Sequence, residues 1–199
     1  MKEKVNTVYK KTARGKAMEE HYIEESVKKR LILAGLKELE AHGPVDFSLR
    51  RVAVSAEVSC AAPYRHFKSR EDLIEGIIAY IRDQWLLFCT TIEQALPDLT
   101  MRVRALCVSY MRFWIGNPNF RVVLFLSDRA DALGFATKLS EALCALAEQR
   151  GEEEGFVQGL RTTLMTLVYG SVFLMLRGEL AIANETIDQI SEKILEALS

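Results

Sequence analysis

The chain has 199 residues, of which 49% are apolar and 27% charged, a balance that supports a packed core and excludes a largely disordered chain. Its four cysteines and three histidines are too scattered for a metal site, a redox pair or a disulfide framework. The net charge is -1, but residues 1–70 carry 15 Lys and Arg against 9 Asp and Glu (+6), and residues 71–199 carry 11 against 18 (-7). This division predicts that only the front part of the chain meets a polyanion.

Apolar residues recur at helical spacing and strand patterns are missing, so the sequence predicts an all-α protein. The longest uncharged run is TTLMTLVYGSVFLML, between Arg161 and Arg177. It is shorter than the roughly 20 residues that a membrane crossing needs. We therefore expect a helix buried on nearly all sides and no membrane contact. The polar, basic first residues are unlike a signal peptide, which predicts a cytoplasmic protein.

The chain begins with a basic segment, residues 1–22, that has few apolar residues. This composition is typical of an arm that becomes ordered only on a partner, with a solvated tail as the alternative. A first helix is predicted from about residue 24 to the stop signal Gly43-Pro44. The basic residues of the arm are Lys2, Lys4, Lys10, Lys11, Arg14 and Lys16.

Two short helices are predicted next. Ser48 is placed to cap a helix that ends near Ala56, and Ser59 is placed to cap a second helix over residues 60–67. Pro63 falls close to the first turn of this second helix, where a missing amide does little harm. The second helix is therefore expected to be short and to be preceded by a tight turn.

A long helix follows and is expected to join the front part to the body. Ser69 and Asp72 form an S-x-x-D capping box at its start, and it runs to about residue 94. The remaining helices are predicted over residues 99–116, 118–126, 132–150, 153–178 and 184–198.

The two short helices form a helix-turn-helix, whose second helix can lie in the major groove of DNA. Arg65 is placed to contact a guanine or a phosphate, while its polar and basic neighbours are placed to bond phosphate oxygens. Ala62 and Phe67 are expected to face inward. The residues expected to meet double-stranded DNA are Ser48, Arg50, Ser59, Cys60, Ala61, Tyr64, Arg65, His66, Lys68 and Arg70.

Three consecutive stretches, LILAGLKELEAHG, FSLRRVAVSAEVS and PYRHFKSREDL, resemble the amino-terminal DNA-binding domain of TetR (tetracycline-repressor-like) family regulators. In that family a Tyr-x-His-Phe segment closes the recognition helix, and a basic residue precedes Glu-x-Leu. The matching residues here are Tyr64, His66, Phe67 and Arg70. The chain departs from the family at Glu57, where glycine is usual, and at Pro63.

The resemblance implies a transcriptional regulator, usually a repressor, that binds a palindromic operator as a homodimer and is released by a small molecule. It implies a flexible arm over residues 1–22, a three-helix DNA-binding domain over 23–70, and a larger helical domain for effector binding and dimerisation over 71–199. The segments YMRFWIGNPNFRVVLF and VYGS also resemble the ligand-binding domain of one subgroup, with Tyr169 where histidine is common.

The effector pocket is expected inside the body, between the long helix and the helices at 99–126 and 153–178, although residues of this kind at helical spacing belong to a core more often than to a pocket wall. Its cations are expected to be Arg112 and Arg121. Its wall is expected to include Trp85, Phe88, Cys89, Tyr110, Met111, Trp114, Phe125, Tyr169 and Phe173.

The dimer is expected to form through the last two helices, because one protomer offers too little surface to cover both. The expected interface has four helices, two from each chain: the helix over 153–178, apolar almost all round in its second half, and the last helix with its stripe of Ile187, Ile190, Ile194 and Leu198.

Two other classes remain open. An enzyme would need an acid-base pair, a nucleophile or a metal cluster, and the chain has none at workable spacing; no cofactor is expected either. A helical adaptor that binds an acidic protein through the basic front face would show little salt-sensitive DNA binding.

Overall fold

The computed structural model describes the backbone of residues 13–125, 131 and 133–199, and the side chains of residues 24–123, 131 and 133–199. Within these residues all regular secondary structure is helical, so the predicted all-α fold is confirmed. The chain divides into two compact units, one ending at Ile74 and the other beginning at Glu75. The predicted boundary at residue 70 lies slightly earlier.

The first unit contains α1 (Ala13–His42), α2 (Leu49–Ser55), α3 (Pro63–His66) and the start of α4 (Arg70–Ala95). The predicted start of the first helix at about residue 24 is wrong, because α1 begins at Ala13 and includes residues 13–22 of the expected arm, where good helix formers prevail. Residues 1–12, with Lys2, Lys4, Lys10 and Lys11, lie outside the described residues, as do the side chains of Arg14 and Lys16.

α1 ends as predicted at a left-handed glycine. Gly43 has φ +69°, and its N–H donates to the Leu39 carbonyl at 2.9 Å, so the helix closes where a side chain would be strained. The core of this unit is formed by the fully or almost fully buried side chains of Leu31, Leu36, Leu39, Phe47, Val52, Ala53 and Phe67.

The second unit contains the remainder of α4, α5 (Leu99–Gly116), the 3-10 helix Pro118–Phe125, α6 (Phe135–Arg150), α7 (Glu154–Arg177) and α8 (Asn184–Leu198). α5 packs against α6, α7 and α8 and is the centre of this unit. α6 starts three residues later than predicted because Gly134 is left-handed, with φ +79°. The carboxylate of Asp131 accepts from the first amides of α6, those of Ala136 and Thr137, at 2.9 and 2.8 Å.

The predictions for the surfaces of α7 and α8 are wrong in two respects. The stripe of α8 that was expected to need a partner, which runs from Ile187 to Leu198, is buried within the protomer against α5 and α7. α7, in turn, is not buried on nearly all sides: only 33% of its most apolar stretch is buried. By length and composition alone α7 is apolar enough to span a membrane, although a core helix passes the same test.

Candidate functional site

The amino end of α2 is tied to α1 through one carboxylate. Ser48 caps α2 as predicted, since its Oγ accepts from the Arg51 amide at 3.4 Å. The N–H of Ser48 donates to Glu38 Oε1 at 3.0 Å, and Arg51 Nε donates to the same oxygen at 2.7 Å. This network fixes where α2 begins relative to α1.

Glu38 carries that network although it is only 7% exposed. Burial by itself would raise the pKa of Glu38, but the hydrogen bonds from Arg51 and the Ser48 amide outweigh it, so the pKa lies below its ordinary value. Neither Glu38 nor Arg51 was singled out from the sequence. The available signal was a carboxylate on the inward stripe of the first helix, between Leu36 and Leu39.

The turn between α2 and α3 adopts the backbone that usually calls for glycine. Glu57 has φ +54°, the left-handed region that costs a residue with a side chain roughly 1 to 2 kcal/mol. Arg30 on α1 holds this turn, because its Nη2 donates to the carbonyls of Ala56 and, at 2.9 Å, of Glu57. The Val58 amide donates to the Ala53 carbonyl at 3.0 Å. The departure at Glu57 therefore leaves the turn intact.

The helix predicted over residues 60–67 is shorter than expected. α3 spans Pro63–His66, and the residues before it form a turn in which the Ala62 amide donates to the Ser59 carbonyl at 2.9 Å. No side chain caps α3, so the prediction of Ser59 as its cap is wrong. In a helix capped by Ser59, the first amide to bond the Ser59 carbonyl would belong to residue 63, and proline has no amide.

We call residues 59–68 the recognition segment. Ala62 and Phe67 are 8% and 4% exposed, so the prediction that they face inward is confirmed. His66 is half-buried, whereas Tyr64 is 66% exposed. The remaining residues expected to meet DNA here are all exposed: Ser59, Cys60, Ala61, Arg65 and Lys68.

The cations around the recognition segment differ in how free they are. Among the described residues, the side chains of Arg50, Arg65 and Lys68 have no hydrogen-bond or ion-pair partner, and all three are exposed. Arg70 is half-buried and already donates to Glu71 Oε1 at 3.0 Å and to the Val45 carbonyl at 3.3 Å. The free cations are the ones best placed to meet phosphate.

The capping box at the start of α4 forms as predicted, with one difference. Ser69 Oγ accepts from the Asp72 amide at 3.2 Å. Asp72 Oδ2 accepts from the Lys68 amide at 2.7 Å, one residue earlier than in the usual box. This bond holds the backbone of Lys68 at the end of the recognition segment.

The interior of the second unit contains a cluster of aromatic rings from α4, α5, α6 and α7. Tyr110 stacks on Phe135 with centroids 4.1 Å apart, and Trp85 and Tyr169 meet Tyr110 edge-on at 5.1 and 5.6 Å. Burial raises the pKa of Tyr169, and that of Tyr110 well above its ordinary value, so both phenols stay protonated.

Five of the residues predicted to line an effector pocket lie fully or almost fully buried in the second unit: Trp85, Cys89, Tyr110, Met111 and Trp114. Tyr169 is partly buried beside them. The prediction of an interior position is wrong for two others, since the side chain of Phe88 is 52% exposed and that of Phe173 is 47% exposed. The side chain of Phe125 lies outside those described. Arg112 is exposed on α5 and lines an outer cleft.

Among the residues that the structure describes, four buried side-chain donors of the second unit have no hydrogen-bond acceptor. They are the indole Nε1 atoms of Trp85 and Trp114 and the Nε atoms of Arg121 and Arg161. Buried polar atoms usually have a hydrogen-bond partner. All four groups would donate to the same kind of partner, an oxygen with lone pairs.

No group of three or more His, Cys, Asp or Glu that could hold a metal ion occurs in the described part of the chain. The free thiols of Cys89 and Cys107 are buried, and those of Cys60 and Cys144 are exposed.

Comparison with known proteins places these features in a family. Residues 31–77 match the model of the tetR family of bacterial regulatory proteins. A nucleoid occlusion factor, SlmA of Klebsiella pneumoniae, is 28% identical over 130 residues, which cover 62% of this chain and 65% of that protein. The match thus spans slightly less than two thirds of the relative's length.

Solved structures share the fold over most of the chain. A TetR family transcription regulator from Marinobacter aquaeolei superposes with a TM-score of 0.69 at 20% identity, covering 89% of this chain and 97% of that one. FadR of Bacillus subtilis, in complex with stearoyl-CoA, gives a TM-score of 0.68 at 16% identity, covering 85% and 96%. Residues 31–77 therefore match the tetR family of bacterial regulatory proteins, and the chain shares its helical fold with a TetR family transcription regulator over 89% of its length.

Proposed function

We propose that the chain is a repressor that binds a palindromic operator as a homodimer and is released by a small-molecule effector, in the cytoplasm of a bacterium. Residues 23–70 would bind DNA, and residues 71–199 would bind the effector and form the dimer. The observation that carries the proposal is the recognition segment, whose apolar residues face inward while its cations and small residues face outward. We propose no catalytic role.

The exposed residues of the recognition segment divide by chemistry into two groups. Cys60 and Ala61 are small, so the backbone can approach base edges, and Arg65 carries a fork that matches guanine. Lys68 and Tyr64 can bond phosphate oxygens, which fixes position and carries no sequence information. Arg70 would contribute less than Lys68, because its guanidinium is already engaged.

Gel-shift titrations at several salt concentrations test this division. Lys68→Ala should weaken binding to every sequence and lower the salt slope by about 1, whereas Arg65→Ala should relax sequence preference and cost about 1 to 3 kcal/mol. Lys37→Ala is the matched control, because it removes an exposed cation from α1, outside the recognition segment. If Lys68→Ala and Lys37→Ala behave alike, the phosphate role of Lys68 is wrong. Absence of salt-dependent binding in the unmodified protein would favour the adaptor.

The proposed dimer interface centres on the exposed face of α7. Phe173 and Leu174 are 47% and 38% exposed there. Gly159 and Gly170 lie in the same helix, and a Cβ added at either would meet nothing within 4 Å. Glycine costs a helix about 0.5 to 1 kcal/mol relative to alanine, and nothing within the protomer requires it there. Close approach of a second α7 would use both the glycines and the apolar side chains.

Sedimentation of two variants tests this interface. Gly170→Leu and Phe173→Glu should each dissociate a dimer without lowering helix content, because neither position is packed within the protomer. Leu87→Glu is the control, since Leu87 is 65% exposed on α4. A monomer at micromolar concentration for the unmodified protein would refute the dimer, and dissociation by Leu87→Glu alone would place the interface elsewhere.

The effector is proposed to bind in the aromatic interior of the second unit. The unpaired donors of Trp85, Trp114 and Arg161 call for a ligand with acceptor oxygens, and the surrounding rings call for an apolar body. FadR of Bacillus subtilis, which shares the fold, is found with stearoyl-CoA, a ligand of that general kind. α4 begins in the first unit and ends in the second, so it provides covalent continuity from the effector to the DNA-binding part.

Stearoyl-CoA and stearate are suitable first probes of the effector site. A ligand that releases DNA should change the emission of Trp85 and Trp114, the only two tryptophans. Trp114→Phe keeps the ring but removes the N–H, so it should retain DNA binding and weaken release. Unaltered release in both Trp114→Phe and Trp85→Phe would place the effector elsewhere.

A further inference from the structure

An open cleft lies on the second unit, away from the aromatic interior. It has a volume of about 270 Å³ and is lined by the outer face of α5, the start of the α4–α5 connection and the first half of α8. A cleft of this size has room for a single small metabolite. Its charged and hydroxyl residues are Arg104, Ser109, Arg112, Asp188 and Ser191.

The charges in this cleft are largely uncompensated. Arg104 and Arg112 lie eight residues apart on one face of α5, and Arg104 Nε donates to Ser191 Oγ at 2.7 Å. Arg112 and Asp188 have no hydrogen bond or ion pair with any residue that the structure describes. Two guanidinium groups and one carboxylate thus share a small space without neutralising one another.

The rest of the lining is apolar, formed by Leu96, Met101, Ala105 and Val108. A simple anion would meet the carboxylate of Asp188, and a simple cation would meet two arginines. A ligand that carries one positive charge, one negative charge and an apolar group would contact every part of the lining favourably. Arginine favours carboxylates because its fork matches their two oxygens.

We propose that this cleft binds a free α-amino acid with an apolar side chain. Its carboxylate would lie between Arg104 and Arg112, its ammonium group would lie on Asp188, and its side chain would cover Met101 and Val108. The cleft is a second ligand site and does not depend on the proposed DNA-binding or effector functions.

Isothermal titration of the full chain without DNA tests the proposal. L-leucine should bind, whereas 4-methylpentanoate, which lacks the ammonium group, and 3-methylbutylamine, which lacks the carboxylate, should each bind about tenfold more weakly or worse. Asp188→Asn should weaken L-leucine about tenfold and leave 4-methylpentanoate unchanged or tighter. Arg112→Gln should weaken both acids and spare the amine.

Glu192→Gln is the matched control, because Glu192 is exposed on α8 and does not line the cleft. Arg112 and Asp188 are also exposed, so circular dichroism should report unchanged folding for all three variants. If L-leucine produces no heat of binding at a concentration about 1,000 times a micromolar Kd, the proposal is overturned. Equal binding of L-leucine and 4-methylpentanoate, or equal loss in Glu192→Gln and Asp188→Asn, overturns it as well.

Discussion

Replacing Glu38 by alanine should destabilise the first unit more than any other single change at a polar residue of α1. The substitution removes the acceptor of the Ser48 amide and of Arg51 Nε, whose bonds to Glu38 are 3.0 and 2.7 Å long. Breaking a buried ion pair costs about 3 to 5 kcal/mol. Arg51 is 43% exposed and water can hydrate it, so we expect about 2 to 3 kcal/mol.

Urea denaturation followed by circular dichroism measures this loss, with Glu40→Ala as the control. Glu40 is exposed two residues further along the same helix, and its replacement should change stability by less than about 0.5 kcal/mol. DNA affinity should fall in Glu38→Ala because Ser48 and Arg50 lose their fixed position at the start of α2. If both variants unfold at the same urea concentration, the network does not stabilise the unit.

The pH dependence of stability, compared between the unmodified protein and Glu38→Gln, gives a second check. The pKa of Glu38 is lower in the folded protein than its ordinary value of 4.5. A carboxylate of this kind contributes its full stabilisation of the folded protein above its pKa in the unfolded chain. The contribution is lost as the pH falls through its pKa in the folded protein. The stability difference between the unmodified protein and Glu38→Gln should therefore be constant at neutral pH and shrink below pH 4.5. A difference that grows on acidification would refute the assignment.

Two further predictions concern the turn and the thiols. Glu57→Gly should raise the free energy of unfolding by about 1 kcal/mol, because glycine adopts φ +54° without strain; a lower urea midpoint would show that the Glu57 side chain stabilises the turn. At mildly alkaline pH, Cys60 and Cys144 should be alkylated rapidly because they are exposed. Burial raises the pKa of Cys89 and Cys107 to about 12, so mass spectrometry should find these two unmodified until the protein unfolds.

The helix ends of the first unit were predictable where a local signal acts alone. Gly43, Ser48 and Ser69 bond the backbone within four residues of themselves, and each behaves in the structure as its residue type predicts. The prediction that Ser59 caps α3 failed because Pro63 has no amide to bond the Ser59 carbonyl, and this second local rule competes with capping. The predicted start of α1 was wrong because the helix propensity of the preceding residues extends the helix toward the amino end, where no stop signal occurs.

Tertiary partners were much harder to predict from spacing. Glu38, Arg51 and Arg30 hold the helix-turn-helix together through hydrogen bonds between residues 10 to 27 positions apart in the chain. No local sequence pattern predicts such pairs. The apolar stripe of α8 carries the same ambiguity, since a periodic stripe states that a face is covered but not by which chain. In this protomer α5 and α7 already cover it.

The same ambiguity bears on the two ligand sites proposed for the second unit, where the sequence predicted one. Arg112 was expected at the effector pocket, but it lies two residues from both Tyr110 and Trp114, and in a helix residues at that spacing point to different sides. The aromatic face of α5 is buried while Arg112 lines the outer cleft with Arg104. The two proposals thus assign different ligands to the two faces of α5: the inner face would suit an apolar body with acceptor oxygens, and the outer face would suit a compact molecule that carries both charges.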